Sequence, residues 1–160
     1  MAEKETPKFR LSVPWIGAEI ALVEPWTFRL FREYRNWDMW QIHGGSTDGS
    51  RWGSTNQEML VTLPAGTVLS VDRIYIRKGA VAYDSLTFYL KRSPDPRFQI
   101  QRQGKNGKPL APKNRSMRFW AKLADVNNIV CQPIRPEGAN EETLKAYESF
   151  SGTGVRVLEI

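Results

Sequence analysis

The chain has 160 residues, of which 41% are hydrophobic, 25% charged and 11% aromatic, and this composition excludes wholesale disorder. Its net charge is +6, and its one cysteine and one histidine exclude both a disulfide framework and a zinc site made of Cys and His ligands. No apolar stretch approaches the roughly 18 residues of a membrane-spanning helix and the amino terminus is not a secretory signal, so we expect a cytoplasmic protein with no membrane partner.

The predicted domain organisation is simple. A polar, flexible lead-in over residues 1–12 precedes a single β-rich domain over residues 13–160. At the start of this domain, the apolar stretch 11–23 is interrupted by Pro14 and Gly17, so it is interpreted as a strand or a loop.

Residues 26–42 are compatible with two structures. As a helix, the stretch would place Leu30, Tyr34 and Trp37 on one face. As a β-hairpin, it would use the strand preference of its aromatic residues and a turn at positions 35–36. The aromatic content favours the hairpin.

The middle of the chain contains three predicted strands. Glu58–Leu63 is followed by a tight turn over 64–67, and a second strand over 68–77 ends before Gly79. In the third strand, over 86–91, apolar and polar residues alternate.

The remaining elements complete a mainly β fold. Strands are predicted over 117–123, 128–134 and 155–160, and one helix begins at Asn140, a favourable N-cap, and ends at Ser151. Short strands separated by turns, with a single late helix, are typical of a small antiparallel barrel or a curved sheet with one C-terminal α-helix.

The positive charge is concentrated in one segment. Nine basic residues lie between positions 91 and 118 with a single acid, Asp95, whereas the rest of the chain contains 14 basic and 16 acidic residues. Glycines and prolines punctuate this segment, which we interpret as a basic loop or hairpin arm at about 92–116 with its tip at 104–108. Because its charge is not compensated locally, such a segment attracts polyanions.

Alternating side chains predict a second basic surface. In the strand over 68–77, Ile74 and Ile76 would enter the core and leave their neighbours on the opposite face. The strands over 86–91 and 117–123 repeat the pattern, and Tyr75 and Tyr89 would lie near each other if the first two strands pair. The predicted face contains Arg73, Tyr75, Arg77, Tyr89, Lys91, Arg118, Trp120 and Lys122. Alternatively, this face packs beneath another element of the fold.

The sequence predicts neither a catalytic centre nor a cofactor. His43 is interpreted as a surface residue at the end of a strand, and Cys131, among apolar neighbours, as a core residue. There is no glycine-rich phosphate loop and no close cluster of metal-ligating acids. Among enzymes the residues fit a metal-independent ribonuclease best, with the set Arg73, Tyr75, Arg77 and Tyr89.

Exposed aromatic rings between cations suit a single-stranded nucleic acid, because bases stack on the rings while cations bind the phosphates. We therefore predict a non-catalytic nucleic-acid-binding protein that favours single strands with weak sequence specificity. Its stacking residues would be Tyr75, Tyr89 and Trp120. Its phosphate contacts would be Arg97, Arg102, Lys105, Lys108, Lys113 and Arg115. The alternative is a small protein-binding modulator or inhibitor that docks on an acidic or nucleic-acid-binding partner surface, with tryptophans as anchors.

Overall fold

The computed structural model describes residues 9–10, 16–48, 57–76 and 84–134, together with Glu141 and Lys145. Strands make up most of the regular structure in these ranges, and the two α-helices are short. The strands are β1 (Phe9–Arg10), β2 (Glu19–Leu22), β3 (Trp26–Phe31), β4 (Glu58–Leu63), β5 (Val68–Tyr75), β6 (Ser85–Arg92), β7 (Gln99–Gln103), β8 (Pro109–Asn114), β9 (Met117–Lys122) and β10 (Val130–Pro133). The helices are α1 (Trp37–Ile42) and α2 (Leu123–Val126).

Six strands form one antiparallel sheet in the order β1-β10-β2-β5-β6-β9. Two further pairs, β3 with β4 and β7 with β8, are antiparallel two-stranded ribbons. The expectation of a mainly β, antiparallel fold is confirmed. The barrel alternative is wrong, because within the described ranges β1 and β9 remain at opposite edges of an open sheet.

The core lies between the inner face of the six-stranded sheet and the β3–β4 ribbon. Phe88 and Phe119 project from the sheet, and Trp26 and Phe28 project from β3, each with at most 1% of its surface exposed. The ring centroids of Trp26 and Phe28 are 4.1 Å apart, and those of Phe28 and Phe119 are 5.4 Å apart. Because burial of one such ring contributes roughly 1.5–3 kcal/mol, this cluster holds the two layers together.

The segment 26–42 is a strand followed by helix rather than the predicted hairpin. β3 pairs with β4, and a 3₁₀ turn over Tyr34–Asn36 leads directly into α1. The Glu33 carboxylate accepts a hydrogen bond from the Arg35 N–H at 3.3 Å and so caps the turn. The hairpin prediction was therefore wrong in its second half, where local capping and burial of Met39 and Trp40 stabilise helix.

Several other predicted elements change at their ends. The strand predicted over 68–77 ends at Tyr75, and residue 123 begins α2 instead of ending β9. The predicted helix over 140–151 lies outside the described residues except for Glu141 and Lys145, and the predicted strand over 155–160 lies wholly outside them. Because α1 and α2 lie inside the chain, the expectation of a single helix at the C-terminus is wrong, although Glu141 and Lys145 in the late segment are themselves helical.

Among the described residues, no helix combines the length and the apolar character that crossing a membrane requires.

Candidate nucleic-acid interface

The sheet surface opposite the core, here called the outer face, is formed by β5, β6 and β9. Its side chains stand in three rows across the strands: Ser70–Tyr89–Arg118, Arg73–Thr87–Trp120 and Tyr75–Ser85–Lys122. The three strands therefore do contribute to one common face. Of the two other residues assigned to this face, Lys91 lies on β6 beyond Tyr89, and Arg77 lies outside the described residues.

The register separates the two tyrosines that were expected to be neighbours. Tyr75 pairs with Ser85, whereas Tyr89 pairs with Ser70, two rows away on the same face. Two rows correspond to about 13 Å along a strand. The predicted proximity of Tyr75 and Tyr89 was therefore wrong, and the proposed ribonuclease set is not gathered at one point.

Ile76 also departs from the predicted alternation. It is 60% exposed, whereas Ile74 packs against the core. Ile76 follows the last residue of β5, so the alternation that buries every second side chain of a strand has already ended before it. The prediction of a core position was wrong for Ile76.

Trp120 is a packed residue and not a free stacking platform. Only 8% of its surface is exposed, and its ring lies parallel to that of Phe31 with a centroid separation of 5.4 Å. Its indole N–H donates to the Glu33 carboxylate, and the Arg35 guanidinium carbon lies 5.6 Å from its ring centroid. The segment that joins β3 to α1 thus covers the middle row of the outer face. This agrees with the alternative prediction that the face packs beneath another element of the fold.

The same covering segment brings new residues to this surface. Tyr34 is 53% exposed and Tyr75 is 36% exposed, and Arg35 interacts electrostatically with both. The Arg35 guanidinium carbon lies 5.9 Å from the Tyr34 ring centroid, and its Nε donates to Glu33 at 2.9 Å. This hydrogen bond is the main cause that raises the pKa of Arg35. We call Tyr34, Arg35 and Tyr75 the tyrosine–arginine cluster.

Sequence reasoning missed two members of this cluster. Tyr34 and Arg35 were treated as part of an uncertain hairpin, although the alternation of aromatic and basic residues in Phe31-Arg32-Glu33-Tyr34-Arg35 was a usable signal. Their placement beside β5 depends on where the chain turns after β3, so a strand pattern alone does not reveal it.

A second cation–aromatic group is formed by Tyr89 of β6 and its cross-strand neighbour Arg118 of β9. The Arg118 guanidinium carbon is 4.9 Å from the Tyr89 ring centroid, and Arg118 also donates to the Tyr89 hydroxyl. Asp72 fixes the same guanidinium through its Nε at 3.3 Å, and Lys91 Nζ lies 6.0 Å from the Tyr89 ring centroid. Arg118 is therefore held over the Tyr89 ring, and guanidinium groups are among the side chains on which unpaired bases stack.

The basic segment forms a hairpin that stands apart from the six-stranded sheet, and we call residues 99–115 the arm. β7 and β8 pair with each other, and the connection between them uses Asn106 and Gly107 with φ of 67° and 73°. At its root, the Arg115 N–H donates to the Phe98 carbonyl at 2.7 Å, and Phe98 is fully buried. The arm thus projects from a firm attachment to the core.

The cations of the arm are exposed and without acidic partners. Within the described part of the chain, none of them forms an ion pair: Arg102, Lys105, Lys108, Lys113 and Arg115. Arg97, which precedes the arm, differs because it binds Asp95 at 2.7 Å, and this hydrogen bond lowers the pKa of the Asp95 carboxyl. The strongest unbalanced charge therefore lies beyond Arg97.

The two basic strand residues that remain have local contacts. Arg73 is exposed, with its Nε 4.0 Å from Asp72. Lys122 is half-buried, and its Nζ lies 4.7 Å from the Phe31 ring centroid. Both still place positive charge at the rim of the outer face.

The residues considered for catalysis have structural positions. His43 follows α1, so the expected place at a strand end was wrong; its Nδ1 lies 2.8 Å from the Met39 carbonyl, and burial lowers its pKa. Cys131 is buried, as expected, and burial raises the pKa of its thiol to about 12, so it is not a reactive thiolate. Among the described residues, no group of three or more His, Cys, Asp or Glu is placed to hold a metal ion.

A comparison with protein-family models, curated proteins and solved structures finds no match to this chain. The arm and the outer face are the two surfaces whose geometry bears on function. Together they offer unpaired cations on one extended element and exposed tyrosines beside arginines on another.

Proposed function

We propose that this protein is a non-catalytic nucleic-acid-binding protein that favours single strands and has weak overall sequence specificity. The observation that carries the proposal is the arm, whose cations are exposed and lack ion-pair partners within the described residues. The proposed phosphate contacts are Arg97, Arg102, Lys105, Lys108, Lys113 and Arg115. Charges held away from acids attract a polyanion and release its counterions, which is the main source of sequence-independent affinity.

The tyrosine–arginine cluster supports a preference for unpaired bases. Tyr34 and Tyr75 present partly exposed rings, and Arg35 adds a cation beside the Tyr34 ring. A base stacked on such a ring contributes about 1–3 kcal/mol, and this contribution is available only when the base is not already stacked inside a duplex. Tyr89 with Arg118 supplies a further stacking unit, whereas buried Trp120 is not part of the proposed interface.

The arm and the outer face are adjacent along the chain, which favours one continuous binding surface. β8 ends at Asn114 and β9 begins at Met117, so Arg118 and its partner Tyr89 stand close to the root of the arm. Lys122, at the other end of β9, lies about 13 Å further along the strand. A bound strand of a few nucleotides would run from the arm to Arg118 and Tyr89 and then across the segment that covers Trp120.

The experiment that tests the proposal is fluorescence anisotropy with labelled single-stranded and duplex DNA and RNA, titrated across salt concentrations. We expect binding at physiological salt, tighter for single strands, with a log–log salt slope that reports the number of phosphates contacted. Absence of binding at physiological salt to every form, or tighter binding of duplexes, would contradict the proposal.

A second candidate function is favoured by two apolar side chains on the arm. Ile100 and Leu110 are 39% and 47% exposed, and a phosphate backbone offers them no partner. A protein-binding modulator or inhibitor would use them against an acidic or nucleic-acid-binding partner surface, with the cations around them. Leu110→Ser distinguishes the two functions, because it would weaken docking on a protein while nucleic-acid affinity measured by anisotropy stays the same.

A further inference from the structure

A groove separates α1 from the root of the arm. Its volume is about 280 Å³, and it is lined by Asp38, Gln41, Ile42, Arg115, Ser116 and Met117. Sites for whole drug-sized ligands occupy about 300–1,000 Å³, so this groove has the size for one planar group and not for a larger molecule.

The floor and the walls of the groove differ in chemistry. Ile42 is half-buried and Met117 is 4% exposed, and they form an apolar floor. Asp38 and Gln41 are three residues apart on α1, which puts their side chains on the same side of the helix. Arg115 forms the facing wall at the root of the arm.

The two charged groups of the groove are both available to a ligand. Within the described ranges, neither the Asp38 carboxylate nor the Arg115 guanidinium forms a hydrogen bond or an ion pair, and both side chains are exposed. An ionised carboxylate can only accept hydrogen bonds, and a guanidinium can only donate them. A ligand that satisfies both therefore needs donors on one edge and acceptors on a neighbouring edge. A phosphate fails this requirement because Asp38 repels it.

We propose that this groove binds an unpaired guanine of the strand held by the arm, an inference that rests on the proposed function. Guanine presents two adjacent donors, N1–H and the N2 amino group, which match the Asp38 carboxylate. Its O6 and N7 accept from the Arg115 guanidinium, which in this site contacts the base in place of a phosphate. Adenine and cytosine would each place a ring acceptor next to the carboxylate, and uracil offers one donor between two carbonyls. The apolar floor contacts the face of the base. Guanine is then preferred at one position of a strand whose other nucleotides are bound through phosphates.

The test is anisotropy with oligouridylate and oligothymidylate that carry a single central guanine, adenine or hypoxanthine, measured against the unsubstituted strands. We expect the guanine strand to bind on the order of tenfold more tightly than the adenine strand, since a bidentate contact discriminates by about that amount or more. Hypoxanthine lacks the N2 amino group, and it should lose most of this preference.

The readout is the ratio of the dissociation constants for the adenine and guanine strands, which cancels any general change in electrostatic attraction. Asp38→Asn should bring the ratio close to one, because an amide cannot accept from both guanine donors. Asp48→Asn is the matched control; it removes an exposed carboxylate outside the groove and should keep the ratio. Equal binding of guanine and adenine strands, or a ratio unchanged by Asp38→Asn, overturns the guanine site and leaves the proposed function standing. Absence of binding to every strand overturns both.

Discussion

Asn36 forms hydrogen bonds with both the backbone N–H and the backbone carbonyl of Trp120, along the edge of β9 that faces away from β6. Its Oδ1 accepts from the Trp120 N–H at 2.7 Å, and its Nδ2 lies 3.4 Å from the Trp120 carbonyl and 3.1 Å from that of Phe31. Asn36 is fully buried, so one side chain takes the place of a neighbouring strand. The same contact holds the covering segment, and with it the tyrosine–arginine cluster, against the outer face.

Replacement of Asn36 should therefore reduce stability. Asn36→Ala leaves the buried N–H of Trp120 without its partner, which costs about 1–3 kcal/mol in the free energy of unfolding. Urea denaturation measures the change. Asn128→Ala is the matched control, because Asn128 is exposed, and it should alter stability by no more than about 0.5 kcal/mol. Equal effects of the two substitutions would show that the contact at the edge of β9 is not important.

Removal of charge from the tip of the arm should change the salt dependence of nucleic-acid binding. Lys105→Gln with Lys108→Gln removes two phosphate contacts, so the log–log salt slope for a single strand should become less steep by about 1.4. Anisotropy titrations at several salt concentrations measure the slope. The double variant Lys4→Gln with Lys8→Gln removes the same net charge from the amino-terminal region. An equal change in slope for both variants would mean that net charge, and not the arm, determines binding.

Substitution in the tyrosine–arginine cluster should discriminate between single strands and duplexes. Tyr75→Ala removes one stacking ring and should weaken single-strand binding by about 1–3 kcal/mol, with a smaller loss for a duplex. Tyr34→Ala should act in the same direction. Tyr75→Phe keeps the ring and is expected to bind as the native protein does. Equal losses on single strands and duplexes would contradict stacking at this cluster.

The stability of the protein should decrease on acidification through His43. Its Nε2 is buried without a hydrogen-bond partner within the described residues, and burial is the main cause that lowers its pKa. Of the nearby charged groups, Arg97 lowers the pKa further and Asp95 raises it. Because the unfolded chain then binds more protons than the folded one, the free energy of unfolding falls as the pH drops below about 6.5.

The measurement for His43 is a comparison of urea denaturation at neutral and mildly acidic pH in the native protein and in His43→Gln. The variant carries no titrating ring at this position, so its stability should fall less between the two pH values. If both proteins lose the same stability, other groups are responsible for the pH dependence. Since His43 contacts Phe98, at 5.8 Å between ring centroids, the effect should include the root of the arm.

Local sequence pattern was enough to predict most of the strands and the position of the concentrated charge. Strict alternation in β6 identifies which side chains face the core, because successive residues of a strand point to opposite sides. The density of cations and the glycine and proline punctuation likewise indicated the basic segment. Both are local properties of the chain, and they do not depend on which other segments pack around it.

Which residues of the outer face are accessible depends on long-range packing, which the sequence pattern does not show. Trp120 alternates as predicted, yet Phe31 and Glu33 cover it, because a side chain's neighbours depend on segments that are distant in sequence. The register of β5 against β6 contains a shift between Val71 and Arg73, and no alternation pattern reveals such a bulge. The groove beside Asp38 likewise exists only because α1 and the root of the arm, far apart in the chain, meet there. Local pattern specifies the face of a strand, but long-range packing specifies what that face contacts.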